Sequence, residues 1–234
     1  YAGAALFFLV LAYAFVPQVL GGKIVNQADT SGFMGMAHEM MSYNESHPED
    51  PTAWTGSMFS GMPTTTIHMS NKDDLTQKLY DFLLWGKRPA TYLFALLLGA
   101  FLLMLSLGIN FLPAIAGAIA VAFCSYNMQI IQVGHNTKMQ AIAFLPWVLA
   151  ALIYTYKSAL KEGSGFKDYF AKTCLGAVLF GFSVSLEVKA NHQQITYYLG
   201  ILIFIYVLSL LIGILRKPSK VEPLKKFMLA SGLL

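Results

Sequence analysis

Apolar runs of membrane-spanning length dominate this chain. They fall at about Ala2 to Leu20, Thr91 to Leu107, Leu112 to Ile131, Met139 to Tyr156, Thr173 to Leu186 and Ile195 to Leu215, and a further run opens at Phe227. Apolar residues reach 56% against 12% charged, and mean hydropathy is +0.56, which is the composition of an integral membrane protein. A segment in hydrocarbon must satisfy its own backbone groups, and the alternation of a barrel strand is missing, which leaves helices. The expected fold class is therefore all-α, a polytopic transmembrane bundle of about six spans plus the start of a seventh. Residues 1–20 would form the first span, 21–90 a long extracytoplasmic loop, and 91–234 the remaining spans. Because the chain starts at Tyr1 and stops inside an apolar run, it is expected to be a fragment of a longer polytopic protein. Span one runs directly into polar sequence without a small-residue cleavage site, unlike a removed signal peptide.

Orientation follows from the positive charges. Lys157, Lys161, Lys167 and Lys172 flank the connection between spans four and five, and Arg216, Lys217, Lys220, Lys225 and Lys226 follow span six. These belong on the cytoplasmic side, whereas the short opposite loops carry only Lys138 and Lys189. With that alternation the amino terminus lies inside. The 21–90 segment, all five histidines (His38, His47, His68, His135 and His192) and most of the carboxylates lie outside. The net charge of +4 is thus a topology signal and gives no reason to propose nucleic-acid binding. Cys124 lies within span three and Cys174 at the inner end of span five, too far apart for a disulfide.

Within the outer segment, Ser31 to Ser46 is Met-rich and predicts an amphipathic helix, whereas Asn44 to Thr55 carries turn residues and two prolines. Trp54 to Pro63 is punctuated by glycine, and Asp73 to Trp85 predicts a second helix with Leu75, Leu79, Phe82 and Leu83 on one face. Asp73 and Asp74 sit where a helix dipole favours acids, which accounts for them without chemistry.

Three polar constellations fall on the same outer side. The first, Asn26 to Ser31, contains Asp29, either a carboxylate able to take a proton from a substrate hydroxyl or, with Ser31, a cap for the helix that follows. A second closes span three with Asn127, Gln129, Gln132, Gly134, His135, Asn136, Lys138 and Gln140. That much hydrogen-bonding capacity at the end of an apolar helix needs an interface or a cavity. Asn127, Ile131 and His135 share a helical face, Gly134 marks the helix end, and Lys138 opens span four, where it neutralises a phosphate or simply snorkels. The third is Glu187-Val188-Lys189-Ala190-Asn191-His192-Gln193-Gln194, followed by Thr196, Tyr197 and Tyr198. Glu187 and Lys189 either act on a ligand or neutralise each other. His38-Glu39 lacks a second histidine four residues on, and no His or Cys pair has metal-ligand spacing.

At these residues the chain resembles the bacterial YfhO-like membrane proteins, a family regarded as having the GT-C type of glycosyltransferase fold. The stretches that carry the likeness are Gln27-Ala28-Asp29, Trp54 to Pro63 (WTGSMFSGMP), Gly134 to Pro146 (GHNTKMQAIAFLP) and Lys189 to Tyr198 (KANHQQITYY). The resemblance implies an enzyme of the bacterial cytoplasmic membrane that moves a sugar from a polyprenyl-phosphate donor to an envelope glycopolymer, lipid or protein acceptor on the outer face. It places at Asp29 the catalytic carboxylate that serves as base or positions the acceptor. His135, Asn136, Lys138, Glu187, Lys189, Asn191, His192, Gln193 and Trp54 would bind substrate. A divalent metal is compatible with such enzymes, although the paired-acid form of the motif is absent, since Asn26, Gln27 and Thr30 surround a single acid. Trp54 and Tyr197 would stack on sugars, and Met34 to Met41 would offer an adaptable surface to the lipid chain.

A multi-pass transporter or flippase, or a non-catalytic envelope-assembly scaffold, is the alternative. Carriers place polar groups near the bilayer midplane, whereas here the span interiors are nearly free of charge. The topology has a direct check. A cysteine placed at Ser57 should react with a membrane-impermeant reagent from outside and one at Ser164 should not, and the reverse labelling would invert the orientation.

Overall fold

The computed structural model describes residues 1–64, 67, 78, 87–163 and 165–234. The second outer helix expected over Asp73 to Trp85, together with His68 and Ser164, lies outside the described residues. Among those described there are nine helices: α1 (Ala2–Phe15), α2 (Ala28–Ser46), α3 (Ala90–Leu107), α4 (Phe111–Ala122), α5 (Ser125–Val133), α6 (Asn136–Leu160), α7 (Phe166–Lys189), α8 (Gln193–Leu215) and α9 (Val221–Leu233). A two-residue antiparallel pair, β1 (Trp54–Thr55) with β2 (Met62–Pro63), closes the glycine-punctuated hairpin in the register Trp54 to Pro63 and Thr55 to Met62.

Four of the helices, α3, α6, α7 and α8, are long and apolar enough to cross a membrane, and α4 with α5 makes a fifth crossing if the bent pair counts as one. The apolar runs outnumber these for identifiable reasons. The run from Ala2 is helical only to Phe15, because Val16 leaves the helical region and Pro17 has no N–H to continue the ladder. Fourteen residues rise about 21 Å, short of a hydrocarbon core of about 30 Å. The run expected over Leu112 to Ile131 breaks at Phe123 and Cys124, and its halves meet at 42°. At the other end, α9 starts at Val221 rather than Phe227 and has 13 residues.

Helix α6 is the centre of the bundle, packed against α3 on one side and α7 on the other. Small residues allow the close approach. A Cβ at Gly176 of α7 would overlap Thr155 of α6, and one at Gly99 of α3 would overlap the Trp147 indole. Polar ties reinforce the α3 contact: Trp147 Nε1 donates to the Ala95 carbonyl at 2.8 Å and Gln140 Nε2 to Tyr92 Oη at 2.7 Å. Helix α1 lays Ala4, Phe8 and Ala12, one face at a four-residue repeat, onto α3, where Phe8 meets Phe101 edge-on at 5.5 Å. Helix α9 packs on α6 through Phe227 stacked on Tyr156 at 5.3 Å and a 2.9 Å hydrogen bond between Tyr156 and Ser231. Helix α8 buries little beyond Leu199 and Ile214, so most of its apolar surface faces outward from the bundle.

Overfilling the α6–α7 contact should be costly. Gly176→Leu is expected to destabilise the protein in detergent by about 1–3 kcal/mol, read as a lower thermal midpoint, and Thr155→Ala in the same chain should recover part of the loss. Wild-type stability in Gly176→Leu would show that the two helices do not depend on this approach.

Candidate functional site

The start of α2 is docked onto the turn between α5 and α6, and one glycine makes the docking feasible. Gly134 ends α5 with φ +102°, a left-handed conformation that glycine adopts without penalty. A Cβ there would also come within 2.7 Å of Gln27 Cβ and 3.4 Å of Asp29 Cβ. Across this contact Gln27 Nε2 donates to the Ile131 carbonyl at 2.5 Å, one of the last carbonyls of α5, which has no partner within the helix. Gln27 Oε1 accepts from Asn136 Nδ2 at 3.2 Å and from Thr30 Oγ1 at 3.1 Å.

Asp29 is carried into the cluster by this docking. It occupies the second position of α2, where the helix dipole favours an anion, and its Oδ2 lies 2.7 Å from His135 Nδ1. Neither Asp29 nor Ser31 is the cap: Gln27 holds the N-cap position, and no side chain there closes the helix. Both partners of the pair are about half exposed, with 42% of the Asp29 and 51% of the His135 side chain open to solvent, so reactants can reach them.

The second and third constellations meet next to this pair. Helix α6 begins at Asn136 with no side-chain cap, and its first turn carries Thr137 and Lys138. Thr137 Oγ1 is 3.4 Å from His192 Nδ1, and His192 Nε2 is buried with no hydrogen-bond partner among the described residues. Lys138 Nζ stands 5.2 Å from the centroid of the Tyr126 ring. Burial pushes the His192 imidazole below its usual value, and the nearby Lys138 and His135 charges push it the same way, so it is held neutral in a cationic surrounding.

Glu187, at the end of α7, is buried and accepts from Thr196 Oγ1 at 3.0 and 3.1 Å. It thereby ties the end of α7 to the start of α8 and shapes the turn that presents His192. Asn191, at φ +55°, makes that turn, with its Oδ1 accepting from Gln193 Nε2 at 3.0 Å. Lys189 ends α7 and is half-buried. Asn127, grouped with these residues by sequence, serves a different purpose: its Nδ2 donates to the carbonyls of Val121 and Ala122 at the break between α4 and α5.

Trp54 belongs to another part of the 21–90 segment. It lines a groove of about 480 Å³ with Glu39, Met40, Tyr43 and Asp50. Glu39 organises that unit, because its Oε2 accepts from Thr55 Oγ1 at 2.5 Å, from the Gly56 amide at 3.1 Å and from the Ser57 amide at 2.9 Å. Those bonds hold the Glu39 carboxyl below the usual range, the Thr55 hydroxyl foremost. Met34 and Met36 are exposed, whereas Met40 is buried against the hairpin side. The sequence reading missed Thr137 and the hairpin role of Glu39. Thr137 was detectable as the neighbour of His135 and Lys138 in one helical turn, while the Glu39 contacts span 16 to 18 residues and have no local signature.

A divalent cation does not suit the described residues around Asp29. Hard cations take several oxygen ligands, but among the described residues no three His, Cys, Asp or Glu side chains come together, and Asp29 is met by an imidazole rather than a second carboxylate.

The His192 environment predicts acid sensitivity. The unfolded chain protonates this imidazole near the ordinary value of about 6.5, whereas the folded chain resists, so this stability is full above that value and is lost as pH falls below it. Thermal melts in detergent at about pH 7.5 and about pH 5.5, within the histidine range, should show a smaller acid-induced drop for His192→Gln than for wild type. Equal drops would remove the assigned cause.

In comparison with known proteins, no protein-family model, no curated protein and no solved structure matches the chain.

Proposed function

We propose that the chain is the membrane part of a GT-C-like glycosyltransferase. It transfers a sugar from a polyprenyl-phosphate-linked donor to a cell-envelope acceptor on the outer face of the bacterial cytoplasmic membrane. The observation that carries this reading is the apposition, at one end of the helices, of a carboxylate–imidazole pair (Asp29 and His135) and a cationic edge formed by Lys138 and the uncapped start of α6, with the neutral His192 beside it. One half can take a proton and the other can face a phosphate.

The reaction needs both halves together. An acceptor hydroxyl attacks the anomeric carbon, the bond from that carbon to the donor phosphate oxygen breaks, and the electron pair leaves on the polyprenyl phosphate. The Asp29–His135 pair takes the hydroxyl proton. Lys138, at the mouth of the uncapped helix, stabilises the charge that develops on the departing phosphate. Asn136 and Gln27 hold the two halves in register through their 3.2 Å hydrogen bond. The exposed indole of Trp54 and its groove offer a stacking surface for a saccharide acceptor farther along the outer segment.

The broken α4–α5 pair favours a second reading, a carrier that binds lipid-linked or soluble substrate at an interrupted helix. Against it, the Asn127 amide already occupies the Val121 and Ala122 carbonyls at the break, so those groups do not face a substrate.

The test compares the wild-type full-length protein in membranes with Asp29→Asn and Lys138→Ala for transfer of radiolabelled sugar from polyprenyl-phosphate carriers. Asp29→Asn should lower transfer by about a hundredfold or more. Lys138→Ala should act chiefly through the phosphate, lowering the rate by about a hundredfold. Equal transfer by all three would move the chemistry elsewhere, Glu187 being the next carboxylate. No transfer by wild type with any donor would leave the carrier or scaffold reading in its place.

A further inference from the structure

His135 meets Asp29 through Nδ1. A neutral imidazole carries one proton, so a ring that donates from Nδ1 to a carboxylate keeps its lone pair on Nε2. Among the described residues no hydrogen bond engages His135 Nε2, and half of the side chain is open to solvent. The backbone beneath the ring is held on both sides: the His135 amide donates to the Ile130 carbonyl at 3.0 Å, and its carbonyl accepts from the Met139 amide at 2.9 Å. Asp29 is held independently by the Gln27 clamp onto the Ile131 carbonyl.

Resting on the glycosyltransferase reading, we propose that His135 is the catalytic base and Asp29 its positioning residue. As the acceptor oxygen bonds the anomeric carbon, its proton passes to His135 Nε2, the anomeric carbon–phosphate oxygen bond breaks, and the polyprenyl phosphate departs with the electron pair. Asp29 selects the tautomer with a lone pair on Nε2, orients the ring and stabilises the imidazolium that forms. Lys138 from α6 and His192 from the α7–α8 turn are the other titratable groups near this ring.

Two physical arguments favour the imidazole over the carboxylate as proton acceptor. A base works best when its ordinary titration range lies near the working pH, and an imidazole titrates near 6.5 whereas a free aspartate titrates near 3.9. The Asp29 oxygen is also already engaged by the His135 ring at 2.7 Å, whereas among the described residues no hydrogen bond engages His135 Nε2.

The experiment uses the full-length protein in membranes with a polyprenyl-phosphate sugar donor. His135→Ala should lose about a hundredfold or more in transfer, and added imidazole should restore part of it, because the half-exposed position admits a small base. The wild-type rate should fall in acid, and the same acid limb should persist in His192→Gln, which removes the neighbouring imidazole as its source. Transfer by His135→Ala at the wild-type rate, or an acid limb in His135→Ala that matches that of the wild type, overturns the assignment and returns the base to Asp29 while leaving glycosyl transfer in place. If His135→Ala fails to fold, His135→Gln, which keeps more of the side-chain volume, is read in its place by the same two criteria. An absence of transfer by the wild type overturns the reading on which the dyad rests, and the dyad with it.

Discussion

Backbone carbonyls freed inside or at the edge of hydrocarbon must find donors, and in this protein side-chain amides supply them at the places that matter. The third apolar run does not continue as one helix. Where it breaks, Asn127 covers the carbonyls of Val121 and Ala122, and where it ends, Gln27 reaches in from the outer segment to cover that of Ile131. An uncovered carbonyl in such a setting costs several kcal/mol. The bend is therefore stable as built, and the second of these bonds also attaches the outer segment to the bundle. The Asp29–His135 pair exists because that attachment exists.

The same junction explains why the polar groups of three distant segments form one cluster. Gly134 lets the chain turn sharply and lets Gln27 and Asp29 approach with no side chain between them. Helix α6 then starts in the middle of the cluster and runs through the centre of the bundle, so the most buried span is also the one whose first turn carries Lys138. At its far end lies a different chemistry. Lys157 bonds the Ser106 carbonyl at 2.6 Å, Lys226 stands 4.7 Å from the Tyr169 ring, and Lys217 approaches Glu162 at 3.9 Å. The helices thus separate a cation-rich end from an end that mixes carboxylate, imidazole and ammonium, an asymmetry that suits chemistry confined to one side of a membrane.

Among the described residues, the segment between α1 and α3 contains two polar units rather than one. Residues around Asp29 belong to the α5–α6 turn, whereas Glu39 gathers the Thr55, Gly56 and Ser57 donors and so fixes the hairpin that carries Trp54. Both units hang from α2, about one end and the middle of the same helix. That common support fixes the Lys138 cluster and the Trp54 groove to one helix.

Much of the architecture was legible from the amino acids alone. Apolar runs of the right length place α3, α6, α7 and α8, because hydrocarbon permits only self-satisfied helices. The clustering of Asp29, His135, Asn136, Lys138 and His192 as polar residues near span ends was visible too, since polar groups are expelled from apolar interiors. Three features were decided only by the tertiary structure. The break at Phe123 and Cys124 lies inside an unbroken apolar stretch, Ala118 to Cys124, and the amide that stabilises it, that of Asn127, acts across the bend. The pairing of Asp29 with His135 joins residues more than a hundred positions apart, and nothing local distinguishes an acid that caps its own helix from one that reaches another. The separation of Trp54 from that pair follows from the Glu39 hydrogen bonds, which are set by the folded hairpin. Solvent partition is written residue by residue in the sequence, whereas hydrogen-bond partnership depends on where the backbone brings two groups in space.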